Sequence, residues 1–247
     1  MTGENRPWAV VTGASAGIGA AVARRLAQEG YRVLVGARRL APLEALAAEI
    51  GGEAKVLDVS DPDSVARFCV GLTEVEVLVN NAGGARGLDE VAAADLDQWR
   101  WMWEVNVLGL VAMTKQLLPA LESSGRGHVV NLSSTAALEV YEGGSGYTSA
   151  KHAVHAITKT LRLELAGRPV RVTEICPGMV ETDFSLNRFG GDEERAEAVY
   201  RGLQPLTAAD VADVVAFAVT RPAHVNLDQV VMRPLMQASA TKVVRSG

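Results

Sequence analysis

Short apolar, β-branched runs alternate along the chain with longer amphipathic stretches. Runs such as residues 9–11 and 77–79 show little polar alternation, which is typical of strands that are buried on both faces of a parallel sheet. We predict strands near residues 8–12, 31–36, 54–58, 75–80, 127–132, 170–176 and 229–232. The stretches between them predict helices near residues 17–29, 41–50, 62–72, 96–121, 147–166 and 208–220.

This strict alternation of strand and helix predicts the fold class. It implies right-handed crossovers and an α/β fold with a doubly wound, mostly parallel, seven-stranded Rossmann-like sheet. A chain of 247 residues is long enough for one large domain, and no repeat or low-complexity linker divides it. We therefore predict a single dinucleotide-binding domain over residues 1–247.

One segment interrupts the alternation. Residues 178–205 run without a predicted sheet strand and contain Phe184, Phe189, a Gly190-Gly191 pair and an acidic helical patch. Segments of this length between elements are commonly lids or disordered loops. The two phenylalanines favour a lid with an apolar underside, and the glycine pair could serve as its hinge.

Composition and charge narrow the function classes. Hydrophobic residues make up 48% of the chain, which suits a large buried core, and the net charge of −5 argues against nucleic acid or an anionic membrane as the main partner. The first residues lack the apolar stretch of a signal peptide. Cys69 and Cys176 lie far apart and have no metal-ligand spacing. We expect a cytoplasmic protein without a metal site.

A glycine-rich turn follows the first predicted strand and opens the first helix. It reads Thr-Gly-Ala-Ser-Ala-Gly-Ile-Gly over residues 12–19. Glycine permits a tight turn, close approach of the backbone to a phosphate and close packing of helix on strand. The helix N-terminus adds free N–H donors and the positive end of its dipole. In this βαβ context the turn predicts a dinucleotide site.

The end of the second predicted strand bears on which dinucleotide is bound. An Asp or Glu commonly meets the ribose hydroxyls of NAD there, whereas this chain has Arg38 and Arg39. Two arginines ahead of a helix N-terminus are unfavourable with its dipole, and a 2′-phosphate would compensate them. We predict NADP(H), with Arg38 as the main contact. The alternative is a solvated arginine pair on a surface turn.

Tyr147 and Lys151 are the candidate acid/base pair. Four residues apart in a helix, they project from one face about one turn apart. A phenol with a pKa near ~10 is a poor acid or base at neutral pH, and a nearby ammonium lowers that pKa. The spacing alone also arises by chance on solvated helices.

With these residues assembled, the chain resembles the short-chain dehydrogenase/reductase family over nearly its whole length. Gly13, Gly17 and Gly19 match the Gly-x-x-x-Gly-x-Gly signature of that family, and Ser134 lies thirteen residues before Tyr147, as its catalytic serine does. Further matches are the Asn-Asn-Ala-Gly motif at residues 80–83, Asn106, the Tyr147 and Lys151 pair, Pro177-Gly178 and Thr182.

The resemblance implies catalytic roles. Tyr147 would exchange a proton with the substrate oxygen while hydride moves to or from the nicotinamide. Lys151 would lower the pKa of Tyr147 and hold the nicotinamide ribose. Ser134 would stabilise charge on the substrate oxygen, and Asn106 would help a proton relay to reach Lys151.

The resemblance also implies a set of cofactor contacts. Asp58 and Val59 would meet the adenine, and Asn80 would line the adenosine side. The full implied set is Gly13, Ser15, Gly17, Ile18, Gly19, Arg38, Arg39, Asp58, Val59, Asn80, Ala82, Gly83, Tyr147, Lys151, Pro177, Gly178, Val180 and Thr182.

Structural alternatives stay open for several of these residues. Ser133 could be mistaken for Ser134, and either serine could simply bond the backbone at a strand end. Asn106 could be a hydrogen-bonded core amide. The tryptophans at 99, 101 and 103 cannot share one helical face, so at least one should be exposed on an isolated subunit. The resemblance implies a homo-oligomer, a tetramer or a dimer.

The substrate is a separate question, since fold and cofactor do not name it. The C-terminal portion looks like NADP-dependent 3-hydroxy acid dehydrogenases that act on serine, allo-threonine and related acids. Arg188, with Phe184 beside it in the lid, is the first candidate to bind a substrate carboxylate, and Arg86 is the second. Equally, Arg188 could pair with Asp192 or Glu193. The alternatives are a reductase of a larger ketone or aldehyde and, more remotely, a non-catalytic NADP-binding sensor.

Overall fold

The computed structural model describes residues 6–246, so residues 1–5 and 247 of the predicted domain lie outside the described part. Its strands are β1 Trp8–Thr12, β2 Arg32–Ala37, β3 Glu53–Val56, β4 Val77–Asn80, β5 Gly127–Leu132, β6 Val170–Pro177 and β7 Gln229–Met232. Its α-helices are α1 Gly17–Gln28, α2 Leu40–Ile50, α3 Pro62–Cys69, α4 Leu96–Trp103, α5 Gly109–Ser123, α6 Ser145–Glu164, α7 Phe184–Arg188, α8 Glu193–Tyr200 and α9 Ala208–Val219.

The seven strands form one sheet in the order β3-β2-β1-β4-β5-β6-β7. All six strand pairings are parallel. The order reverses between β1 and β4, so the connections leave these two strands in opposite directions and open a crevice at their carboxyl ends. The predicted fold class, a doubly wound Rossmann-like sheet in a single domain, is confirmed.

The two largest apolar clusters of the core pack against the sheet, one on each face. Leu26 of α1, Leu43 of α2 and Val215 of α9 are fully buried on one face. Phe68 of α3 and Met113 of α5 are equally buried on the other, together with Val172 of β6. Coverage on both faces explains why the strand sequences lack polar alternation.

The helix predicted at residues 96–121 is not regular. A π-helical turn at Glu104–Leu108 separates α4 from α5, and the segment continues to Ser123. Such turns often mark functional sites, and this one contains Asn106. Neighbouring Trp103 is 39% exposed, which confirms that one of the three tryptophans faces outward.

The predicted start of the last helix is confirmed in detail. The Thr207 hydroxyl accepts the backbone N–H of Asp210, and the Asp210 carboxylate accepts the backbone N–H of Thr207. This reciprocal arrangement is a capping box. Over residues 6–246, no helix combines the length and the apolar character needed to cross a membrane.

Candidate active site

A cavity of about 740 Å³ opens at the carboxyl ends of the strands. The glycine turn after β1 forms one end, and the segments after β5 and β6 form the other. Parallel strands bring their carboxyl ends to one edge of the sheet, so loops far apart in sequence meet there. The cavity extends from Arg38 at the edge near β2 to Arg188 in the lid.

The three glycines of the first turn have different tasks. Gly13 and Gly17 have φ of 67° and 54°, a backbone conformation that side chains disfavour. Gly19 does not line the cavity. A Cβ there would lie 2.5 Å from the Gly13 carbonyl oxygen and 2.5 Å from Nδ2 of Asn81, so this position serves close packing of α1 rather than contact with a ligand.

The N-terminus of α1 is available to an anion. Its N-cap, Ala16, supplies no side-chain hydrogen bond, and its first turn carries no acidic residue. Free N–H groups and the positive end of the helix dipole therefore face the cavity beside Ser15 and Ile18. This is the arrangement that a pyrophosphate requires.

The Asn-Asn-Ala-Gly motif is fixed to the glycine turn through Thr12. The Thr12 hydroxyl accepts N–H bonds from Asn81 and Ala82 at 3.0 and 2.9 Å and donates to the Val79 carbonyl. Nδ2 of Asn81 in turn donates hydrogen bonds to the carbonyls of Thr12 and Gly13. The motif thereby sets the position of the glycine turn.

The expectation for Asn80 is wrong. Its Nδ2 donates to Oγ1 of Thr114 and Oδ1 of Asn131, and Asn131 donates onward to Thr158. Asn80 therefore ties β4 to α5 and β5 beneath the cavity and does not line the adenosine side. The neighbouring residues Asn81, Ala82 and Gly83, which follow the end of β4, line the cavity instead.

Arg38 and Arg39 lie at the cavity edge and are exposed. Nη2 of Arg39 donates to the Ser15 hydroxyl at 3.2 Å, which brings one guanidinium to the glycine turn. Burial raises the pKa of Asp58, but hydrogen bonds from Ser60 and the charge of Arg38 outweigh it, so that pKa is lowered. Because the two guanidinium groups outnumber the one carboxylate of Asp58, this end of the cavity carries a net positive charge.

Tyr147 and Lys151 face the other end of the cavity from one side of α6, as predicted from their spacing. Lys151 is buried; its Nζ donates to the Leu132 carbonyl at 3.0 Å and lies 5.7 Å from the centre of the Tyr147 ring. Burial lowers the pKa of Lys151 to about 8. Water therefore screens the charge of this buried ammonium only weakly.

The pKa of Tyr147 differs from expectation. Burial raises it above its ordinary value, and this effect exceeds the lowering by a hydrogen bond with Ser134 and by the charge of Arg188. The predicted lowering of this pKa is therefore not met, because desolvation of the buried phenol is the larger effect.

The structure distinguishes the two neighbouring serines. Ser134 faces Tyr147, and its hydroxyl accepts the Ala136 N–H at 3.1 Å at the start of a short 3₁₀ turn. The Ser133 hydroxyl is buried and has no hydrogen-bond partner among residues 6–246. Ser134 is therefore the serine that can bond a substrate oxygen held by Tyr147.

Asn106 lies behind the cavity rather than on its wall. Nδ2 donates to the carbonyls of Gly84 and Met102, and Oδ1 accepts the Gly84 N–H. Gly83 passes so closely that a Cβ there would lie 2.5 Å from Oδ1 of Asn106 and 3.8 Å from Nζ of Lys151. Asn106 thus has the character of a hydrogen-bonded core amide and also holds the loop against Lys151.

The predicted lid, residues 178–205, contains α7 and α8 and covers the Tyr147 end. Phe184 packs edge-on against the Tyr147 ring, with 5.5 Å between ring centres. Arg188 donates from Nε to the Gly87 carbonyl at 2.9 Å and from Nη1 to the Tyr141 hydroxyl at 3.1 Å. Its guanidinium carbon lies 5.9 Å from the centre of the Tyr147 ring.

Arg86 takes a different position. Its guanidinium carbon stacks 4.1 Å from the ring centre of Trp101, and the residue is exposed at the rim of the cavity. Of the two candidate carboxylate receptors, Arg188 is the one that faces Tyr147.

The structure places most of the predicted site residues around one cavity. Of the predicted set, Gly19, Asn80 and Asn106 lie outside its lining. The members that line it are Gly13, Ser15, Gly17, Ile18, Arg38, Arg39, Asp58, Val59, Ala82, Gly83, Arg86, Ser134, Tyr147, Lys151, Pro177, Gly178, Val180, Thr182, Phe184 and Arg188.

Sequence reasoning missed residues that long-range contacts bring to the site. Tyr141 anchors Arg188, and Gln237 and Ala240 form a wall from the C-terminal segment. Oε1 of Gln237 accepts the Met179 N–H at 2.9 Å, and a Cβ at Gly178 would lie 2.2 Å from it. The glycine at position 178 is the one signal of this contact in the sequence, because only glycine permits such a close approach.

The two histidines of α6 that follow Lys151 do not line the cavity. Nδ1 of His152 lies 2.8 Å from the Thr148 carbonyl, and Nδ1 of His155 lies 2.6 Å from Oε2 of Glu174. Among the residues that the structure describes, no group of three or more His, Cys, Asp or Glu side chains is placed to hold a metal ion.

Comparison with known proteins settles the family. The family model for short chain dehydrogenases matches residues 7–192. The chain belongs to the short chain dehydrogenase family. The predicted membership is thereby confirmed, and with it the assignment as an oxidoreductase of alcohol and carbonyl groups.

Individual relatives cover almost the whole chain. An uncharacterized oxidoreductase of Mycobacterium tuberculosis is 58% identical over 97% of this chain and 96% of its own length. The NADP-dependent 3-hydroxy acid dehydrogenase YdfG of Salmonella typhi is 39% identical over 94% of this chain and 96% of its own. The closed form of a serine dehydrogenase complexed with NADP+ superposes with a TM-score of 0.92 at 37% identity, covering 97% of this chain and all of that one.

Proposed function

We propose that this short-chain dehydrogenase uses NADP(H) to interconvert a small 3-hydroxy acid and its keto form. The assignment of the substrate class rests on the position of Arg188. The guanidinium is held by two neutral acceptors, the Gly87 carbonyl and the Tyr141 hydroxyl, and it faces Tyr147. Within residues 6–246 it pairs with no carboxylate, including Asp192 and Glu193, so a substrate carboxylate can fill that role.

The described residues fit a bound NADP(H). The uncapped N-terminus of α1 and the positive-φ glycines suit the pyrophosphate, and Arg38 and Arg39 suit the oxygens of a 2′-phosphate. Relatives named as NADP-dependent, and a neighbour solved with NADP+, support this choice. When bound, the nicotinamide supplies the hydride acceptor or donor.

The side chains of the chain supply the proton chemistry. Tyr147 accepts the proton of the substrate hydroxyl in oxidation and donates it to the carbonyl in reduction. Ser134 hydrogen-bonds the same substrate oxygen and stabilises its developing charge. Lys151 places a positive charge beneath Tyr147, and Asn106 holds the loop that contacts Lys151. Phe184 packs edge-on against the Tyr147 ring and should limit the access of water to the reacting atoms.

A substrate screen tests this function. With NADP, we expect turnover of several of the acids L-serine, D-serine, allo-threonine, 3-hydroxypropionate and 3-hydroxyisobutyrate. Tyr147→Phe is the control: it should abolish turnover while NADPH affinity, measured by fluorescence, stays close to that of the wild type. Turnover of uncharged secondary alcohols only would favour the reductase of a larger neutral ketone. Persistent activity of Tyr147→Phe would show that Tyr147 is not the acid/base of the reaction.

Replacing Arg188 tests the recognition of the carboxylate. In Arg188→Met, kcat/KM for the accepted acid should fall roughly 10- to 100-fold, because a charged hydrogen bond to the carboxylate is lost. The value for an uncharged secondary alcohol should change much less. Arg195→Met, the same replacement on exposed α8, is the matched control and should leave both values unchanged. Equal losses for acid and alcohol in Arg188→Met would mean that Arg188 only stabilises the lid.

Reversing the charge at Arg38 tests cofactor choice. Arg38→Asp should raise the ratio of kcat/KM with NAD to kcat/KM with NADP by about 100-fold or more, because the 2′-phosphate loses a charged partner and meets a like charge. Arg24→Asp, on the outer side of α1, is the control for the charge change itself. An unchanged ratio in Arg38→Asp would contradict the role assigned to Arg38.

We also propose that copies of this chain associate through α4, the π-helical turn and α5. Trp103, Leu108 and Val111 are 39%, 58% and 39% exposed on this segment, a grouping of apolar side chains typical of an interface. Light scattering should give a dimer or tetramer for the wild type and a lower mass for the double variant Leu108→Glu, Val111→Glu. Val70→Glu, at an exposed position after α3, should keep the wild-type mass. A monomeric wild type would refute the proposal.

A further inference from the structure

A buried carboxylate lies behind the catalytic lysine and has no part in the mechanism described above. Glu174 of β6 is 1% exposed. Its Oε2 is bonded by Nδ1 of His155 at 2.6 Å and by Nε2 of Gln229 at 2.7 Å. Its Oε1 has no hydrogen-bond partner within residues 6–246. Burying a carboxylate is costly unless another charge or a set of donors compensates it.

The geometry of α6 and β6 brings this carboxylate near Lys151. Lys151 and His155 lie one turn apart on one face of α6, about 6 Å along the axis. Cys176 and Glu174 lie two residues apart on one face of β6, about 6.6 Å along the strand. Because His155 bonds Glu174, the next helical turn sets Lys151 against Cys176. The Cys176 thiol lies beside both groups, since Glu174 and Lys151 each act on its pKa.

We propose that Glu174 is a positioning residue, the buried counter-charge that keeps Lys151 protonated in the working enzyme, and that His155 and Gln229 hold it in place. This inference rests on the catalytic role proposed for Lys151. It assigns a function to the segment just before the Pro177-Gly178 turn, where no substrate or cofactor contact is expected for Glu174.

The other groups around this pair leave Glu174 as the anion beside Lys151. From α6, Tyr147 and His155 flank the lysine. From β5, the Leu132 carbonyl accepts a hydrogen bond from the lysine, and it is neutral. From β6, burial raises the pKa of the Cys176 thiol to about 12, so it stays protonated.

Two further polar residues lie near Glu174. Gln229 of β7 is neutral, and Arg162 of α6 is directed to the Val172 carbonyl and to Asp228. The effect on the lysine has the expected sign. Burial lowers the pKa of Lys151 to about 8, against raising effects of Cys176 and of Glu174. Because the Cys176 thiol stays protonated, Glu174 supplies the anionic charge, and removing that charge should let Lys151 lose its proton at a lower pH.

The test compares pH profiles of carbonyl reduction at saturating NADPH. In the wild type, kcat should fall on the alkaline side as Lys151 loses its proton. In Glu174→Gln, this alkaline limit should move to lower pH by about one unit, while the rate at pH 6 stays within about twofold of the wild type. Glu174→Asp retains the charge and should restore the limit. An unmoved limit in a folded Glu174→Gln variant overturns the inference.

A second variant covers the case in which Glu174→Gln does not fold. His155→Lys changes a partly exposed residue and places a permanent cation against Glu174, so it should also lower the alkaline limit. His152→Lys adds the same charge on the outer face of α6 and should leave the limit in place. Equal limits in His155→Lys, His152→Lys and the wild type would likewise contradict the proposal.

Lys151→Met separates this inference from the proposed function. An active Lys151→Met variant would remove the catalytic role of the lysine, and the present inference would fall with it. An inactive Lys151→Met variant combined with an unmoved limit in Glu174→Gln would overturn the role of Glu174 alone.

Discussion

The arrangement of the rest of the site depends on the hydrogen bonds of the Thr12 hydroxyl. It binds two backbone N–H groups of the Asn-Asn-Ala-Gly motif and the carbonyl of Val79, and so it joins β1 to the turn after β4. These are the two strands between which the order of the sheet reverses. A crevice must open there, and the Thr12 bonds determine how the two turns that border it face each other.

The two ends of the cavity on either side of this junction offer different kinds of binding surface. At the cofactor end, glycines and free helix N–H groups offer the backbone itself as the binding surface. At the catalytic end, side chains are enclosed by the lid, and electrostatic interactions are correspondingly stronger. The same enclosure raises the pKa of Tyr147 and lowers that of Lys151. Nearby charges must therefore oppose desolvation for either group to work near neutral pH.

The fold was largely predictable from sequence because its signals are local. Apolar runs on both faces, helical periodicity and the glycine turn each lie within a few residues, and together they predict the sheet and the position of the site. Tyr147, Lys151 and Ser134 are predicted from sequence because their spacing matches that of the family signature.

The errors and omissions involve contacts between distant segments. Asn80 was misassigned because nothing local distinguishes it from Asn81, whereas Thr114 and Asn131 decide its direction. The π-helical turn at Asn106, the anchoring of Arg188 by Tyr141 and the burial of Glu174 beside His155 depend on packing that no local pattern encodes. Tertiary contacts set these positions.

The support of Arg188 by neutral groups connects substrate recognition with catalysis. Had the guanidinium paired with Asp192 or Glu193, its charge would have been compensated before any substrate arrived. Instead, a carbonyl and a hydroxyl fix its orientation and leave its charge available. That charge lowers the pKa of Tyr147 against the effect of burial, and it can also attract an anionic substrate. A carboxylate bound to Arg188 must offset part of this charge, so the acid strength of Tyr147 depends on what the lid holds.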